Sequence, residues 1–88
     1  MNEEEWTLKL HEDGFRHVYV WEDEPQADHP DHAHPEETAH VILEGEMLVT
    51  MEGRTRTYRQ GERFDVPANA VHAARAGPRG CKYIIGEM

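Results

Sequence analysis

The chain has 88 residues, 18 acidic against 9 basic, a formal net charge of −9 and one cysteine. That balance excludes the basic surface that nucleic acid requires, and a single cysteine excludes an internal disulfide. A domain this small buries only about two-thirds of its unfolded surface, so a metal or a second subunit is expected to help hold it.

In chain order, Trp6, Leu8 and Leu10 alternate with polar residues and read as a strand ending at Glu12-Asp13-Gly14. Phe15–Trp21 is rich in aromatic and β-branched residues and reads as the next strand. Residues 22–31 hold two prolines and many acids, which is loop chemistry. Thr38–Leu43 resumes as a strand and stops at Glu44-Gly45. Met47, Val49 and Met51 alternate up to Glu52-Gly53, a hairpin signal. Thr55–Arg59 and Arg63–Val66 are short strands. Val71–Arg75 and Cys81–Ile85 are the last two, split by Gly77-Pro78-Arg79-Gly80. No helical apolar stripe stands out. Many short strands with frequent turns predict an all-β sandwich or barrel in one domain, residues 1–88.

No run nears the roughly 18 apolar residues of a membrane span, and MNEEEW lacks the parts of a signal peptide. With the lone thiol, this gives the expectation of a cytoplasmic protein without a membrane partner. The charge is uneven: residues 1–52 carry fifteen carboxylates against Lys9 and Arg16, residues 53–88 seven cations against three carboxylates. Interleaved strands are expected to bring the halves together so that the charges offset.

The densest chemistry is DHPDHAHPEETAH, residues 28–40, with four of the seven histidines. On a strand His32 and His34 point the same way, about 7 Å apart along the backbone. Two imidazoles so placed can converge on zinc, copper, iron or nickel. His72, after a tight turn at Pro67-Ala68-Asn69, is the natural distant third ligand. His40 shares the parity of His32 and His34 if the strand runs without a bulge. His29 is expected exposed in the loop, and Arg63 or Arg75 offers a fork for a carboxylate substrate. Cys81 is expected buried and inert, and Tyr83 a core residue.

HAHPEETAHVILEG, residues 32–45, resembles the first motif of the cupin superfamily: H-x-H, three or four residues, Glu, six residues, Gly. GERFDVPANAVH, residues 61–72, resembles the second, in which Pro-x-Gly precedes a histidine by two residues. The fifteen-residue spacer between Gly45 and Gly61 matches the smallest cupins. The segments YVWEDEP and RAGPRGCKYIIG are similar to those of small single-domain bacterial cupins. The resemblance implies a double-stranded β-helix, or jelly-roll barrel, expected as a homodimer. It also implies one divalent transition metal (iron, zinc, nickel, copper or manganese) held by His32, His34 and His72.

Four positions depart from the motifs. Thr38 falls where the motif has its glutamate, Asn69 replaces the glycine of Pro-x-Gly, Ala76 stands where an asparagine often follows the second-motif histidine by four residues, and Gln26 stands where a glycine precedes H-x-H. The fourth ligand is therefore open among His40, a carboxylate of Glu36 or Glu37 brought in by a bulge, and water; His40 leads on strand parity. A metal-dependent enzyme of dioxygenase or isomerase type acting on a small molecule is the first expectation. A non-catalytic ligand- or metal-binding sensor or accessory module is the second.

Overall fold

The computed structural model describes residues 1–88. One helix, α1 (Glu3–Glu12), precedes six strands: β1 (His17–Asp23), β2 (Asp28–His32), β3 (Thr38–Met51), β4 (Arg54–Arg59), β5 (Arg63–Val66) and β6 (His72–Glu87). Every pairing is antiparallel. β3 and β6 are long enough to serve two layers. In one layer the order is β1–β6–β3–β5, using the end of β6 and the start of β3. In the other it is β2–β6–β3–β4, using the start of β6 and the end of β3. One continuous sheet thus folds on itself as a jelly roll, the expected all-β class.

The bend explains why each long strand reads as two in sequence. Register shifts in the β3–β6 ladder fall between Ile42 and Glu44 and between Gly45 and Met47. Gly45 has φ 78°, and a Cβ there would collide with the carbonyl oxygen of Gly80. The corner of β3 therefore rests on the backbone of β6, and only glycine permits that approach. Glu44-Gly45 and Gly77–Gly80 bend the ladder without ending it, contrary to the expected breaks.

The N-terminal reading also needs correction. Residues 3–12 form a helix and not a strand. Its start is a capping box: Glu5 N–H donates to Asn2 Oδ1 at 2.8 Å, and Asn2 N–H to Glu5 Oε1 at 3.1 Å. Trp6 and Leu10, four apart, face the protein, whereas Leu8 is 61% exposed. The apparent alternation was one helical stripe plus one solvent-facing leucine. Residues 28–31, expected as loop, join His32 in an edge strand that pairs with β6, where Pro30 is tolerated at a register shift.

Two cores result. Ile42, Met47, Val49, Phe64, Val66 and Tyr83 pack between the layers. On the outer face of the first layer, Leu10 and Phe15 cover Ala39, Val41 and Ile84. Leu10 is fully buried there, which contributes about 2 kcal/mol. Successive residues of β3 accordingly alternate: Ala39 and Val41 face the helix, Thr38, His40 and Ile42 the interior. The halves of opposite charge interleave as expected: Arg63 pairs with Asp13 at 2.7 Å, Arg59 with Glu46 at 3.3 Å, Arg75 with Asp28 at 3.6 Å and Lys82 with Glu44 at 3.7 Å. No helix is long and apolar enough to cross a membrane.

Candidate metal centre

The strand register assembles the histidines. His32, the last residue of β2, stands opposite His72, the first of β6. His34 lies beyond the end of β2, outside any strand. Its place is set instead by a backbone bond, Asn69 N–H to His34 C=O at 2.7 Å. Asn69 has φ 64°, so asparagine adopts the left-handed turn that the family motif gives to glycine. Gln26, the other glycine replacement, likewise has φ 62°.

The ring centroids of His32 and His34 are 4.9 Å apart, those of His32 and His72 4.2 Å, and those of His34 and His72 5.4 Å. Each ring offers one nitrogen within 4.8 Å of the others. Two of the rings have their protons placed by carbonyl groups, which only accept. His32 Nδ1–H donates to Pro30 C=O at 2.7 Å, and His72 Nδ1–H to Ala70 C=O at 3.0 Å. In the neutral rings the Nε2 lone pairs are then free, the tautomer that metal-bound histidines use. Burial, and then the neighbouring His32 and His34, push the His72 pKa below the ordinary histidine value; its bond to Ala70 opposes this. Three converging imidazoles, two of them oriented by carbonyl groups, fit a divalent transition ion.

The expected fourth histidine faces the same cavity but stands outside this set. His40 stacks on Phe64, with centroids 4.5 Å apart and planes at 6°. Its Nδ1 is buried without a hydrogen-bond partner, as is Thr38 Oγ1. Burial, followed by the nearby imidazoles, pushes the His40 pKa down to about 4. Glu36 is exposed, and neither it nor Glu37 lines the cavity.

The cavity in front of the triad measures about 290 Å³. Its far wall is the inner face of the first layer, where cross-strand register lines up Tyr19, Ile85, His40 and Phe64 in one row. Trp21, Tyr83 and Ile42 form the next row. The last residue of β1, Asp23, is the polar anchor that the sequence reading missed. It is 7% exposed and accepts three bonds: from Trp21 Nε1–H at 2.9 Å, His29 Nε2–H at 2.8 Å and Tyr83 O–H at 3.0 Å. Parity was the available signal, because Tyr19, Trp21 and Asp23 alternate on one face; the strand was ended too early, at Trp21. His29, expected exposed, is held by Asp23 and lines the cavity. Burial, then the Asp23 charge, raises the Tyr83 pKa, so the phenol keeps its proton. Cys81 is buried and its thiol is pushed up to about 12, chiefly by burial. Arg63 and Arg75 do not line the cavity; Arg63 is held by Asp13 and Asp65, and Arg75 faces Asp28 at 3.6 Å.

A jelly roll whose two layers close around three convergent imidazoles defines a class of small barrel proteins with a histidine-lined cavity. Comparison with known proteins places the chain within that class. The family model of the cupin domain matches residues 19–84, and the chain belongs to the cupin family. Among solved structures it is similar to an RmlC-like cupin from Shewanella frigidimarina NCIMB 400 (26% identity, TM-score 0.72, covering 80% of this chain and 62% of that one). It is similar to the DMSP lyase DddQ from Ruegeria pomeroyi DSS-3 (30% identity, TM-score 0.72, 80% of this chain and 36% of that one). KdgF from Halomonas sp. shares the fold at 21% identity, with a TM-score of 0.69 over 80% of this chain and 66% of that one. The chain thus spans less than two-thirds of the length of these structures. No curated protein matches it.

Proposed function

We propose that this cupin binds one divalent transition metal through His32, His34 and His72, and that the ion acts on a small molecule in the adjoining cavity. The observation that carries the proposal is the convergence of three imidazole nitrogens within 4.8 Å of one another at the wall of that cavity. His40 is the fourth ligand in this proposal, on the strength of its neutral ring and unpaired buried Nδ1. A bound ion of this kind supplies Lewis acidity toward an oxygen of the ligand. The chain's own part is to orient the imidazoles through Pro30 and Ala70, to exclude water with Phe64 and Met47, and to present hydrogen-bonding groups at Tyr83 and His29. The resemblance to a DMSP lyase supports an enzymatic reading.

A non-catalytic sensor or accessory module is the second reading, favoured by Thr38. At the position of the motif glutamate it offers a hydroxyl with no partner, so the motif's own carboxylate is missing as a proton-transfer group. In either reading residues 1–88 act as one domain in a homodimer, and the sheet path ends in β1 and β4, whose outer edges a second copy can cover.

Plasma mass spectrometry of untagged protein tests the proposal. Near-stoichiometric metal is expected in the wild type and is lost in His72→Ala. Retention of metal in His40→Ala would reduce the set to three histidines. Absence of metal after incubation with iron, zinc, nickel, copper and manganese overturns the metal reading altogether.

A further inference from the structure

The mouth of the histidine cavity carries an arrangement that metal binding does not explain. Tyr19 and Trp21 lie on the cavity side of β1, 38% and 53% exposed. Tyrosine and tryptophan combine an apolar ring with a polar tip, which suits them to a binding surface. Here both are fixed by carboxylates. Tyr19 O–H donates to Glu87 Oε2 at 3.2 Å, and Trp21 Nε1–H to Asp23 Oδ1 at 2.9 Å. Tyr83, beside Trp21 in the ladder, is tied to Asp23 as well. Three ring systems are thus held in place by two acids.

The charge is one-sided. No lysine or arginine lines the cavity, and Glu87 does. Asp23 lies directly behind the aromatic wall. His29 donates its Nε2–H to Asp23. At the mouth, apart from the ion that the triad would hold, a carboxylate or phosphate meets Glu87 and no lysine or arginine. A positively charged organic group meets electron-rich ring faces and the Glu87 carboxylate, the chemistry that recognises quaternary ammonium ligands.

We propose that the ligand of this cavity is a small organic cation, whose onium head is held at the mouth by Trp21, Tyr19 and Tyr83 with Glu87 as counter-charge. This deepens the proposed function, since it rests on the cavity being the ligand site. Any oxygen the ligand carries on its other end points toward the imidazoles.

Choline and its neutral isostere 3,3-dimethylbutan-1-ol separate charge recognition from apolar burial. Both are titrated by calorimetry at pH 8 into metal-free and zinc-loaded protein, with propionate as the anionic control. Choline is expected to bind about tenfold more tightly than the isostere and to shift the Trp21 indole N–H resonance. Trp21→Leu is expected to remove that preference, and Glu87→Gln to weaken choline several-fold while leaving the isostere unchanged. Both variants are checked for folding by circular dichroism, and Glu87→Gln carries the test if Trp21→Leu does not fold. Equal affinity for the two isosteres, a preference for propionate in the metal-free protein, or no saturable choline binding overturns the proposal. Metal content measured on the same samples reports separately on the histidine site, so the two ideas fail independently.

Discussion

The two faces of the first layer, built from the same strands, have opposite chemistry. Outward, Ala39, Val41 and Ile84 are sealed beneath Leu10 and Phe15, all at most 2% exposed and without a polar side chain among them. Inward, Thr38 and His40 leave a hydroxyl and a ring nitrogen buried and unpaired, and Tyr83 is tied to an acid. A buried polar atom without a partner costs about 1–3 kcal/mol. The outer face therefore supplies stability that the inner face, arranged for a ligand, partly gives up. Stability and function are divided across the thickness of a single sheet.

That division can be broken from the outside first. Leu10→Ala is expected to destabilise the protein by about 2–5 kcal/mol, read by urea denaturation, while the folded fraction keeps its metal stoichiometry. A joint loss of stability and metal in the folded fraction would show that the two faces are not independent. The inner face is tested by acid. In metal-free protein, His40 has a folded pKa of about 4 against an ordinary 6.5. The unfolded chain therefore takes up the proton first, and stability present above pH 6.5 falls as the pH drops toward 4. The loss from this group is roughly 3 kcal/mol, and His72, shifted in the same direction, adds to it. His40→Leu is expected to flatten the slope between those pH values, and an unchanged slope would place the titration elsewhere. At the edge of the outer seal, Asn2→Ala removes the capping box and is expected to cost about 1 kcal/mol, visible as a lower Tm with unaltered ligand binding. The smallest effect sharpens the contrast: Thr38→Val replaces the unpaired hydroxyl by a methyl and is expected to raise stability by up to about 1 kcal/mol. Destabilisation by Thr38→Val would mean the hydroxyl has a partner, such as an ordered water.

How far the sequence could be read depended on the kind of constraint. β5 was legible to the residue, and Met47–Met51 with β4 nearly so, because alternation and tight turns are local signals. α1 was missed because Leu8, an exposed leucine, completed a false alternation with Trp6 and Leu10. The Asn2–Glu5 box was the local signal that outweighed it. β2 was hidden by Pro30 and its acids, since an edge strand needs pairing on one side only.

The amino-acid sequence by itself determined the family fold and the candidate ligands, through two motifs whose internal spacing is set by strand lengths and turns. Tertiary structure alone decided what surrounds them. Pairing of β2 with β6 put His32 opposite His72, and the Asn69–His34 bond seated the third ring. Pairing of β1 with β6 carried Trp21 to Tyr83, and the network around Asp23 joined residues 6 and 60 positions apart in the chain. Contacts between distant segments leave no periodic trace in a sequence, because they depend on which strands become neighbours and not on spacing along one strand. Chemistry written within a motif is therefore readable from sequence, and the wall opposite that motif becomes readable once the sheet has closed.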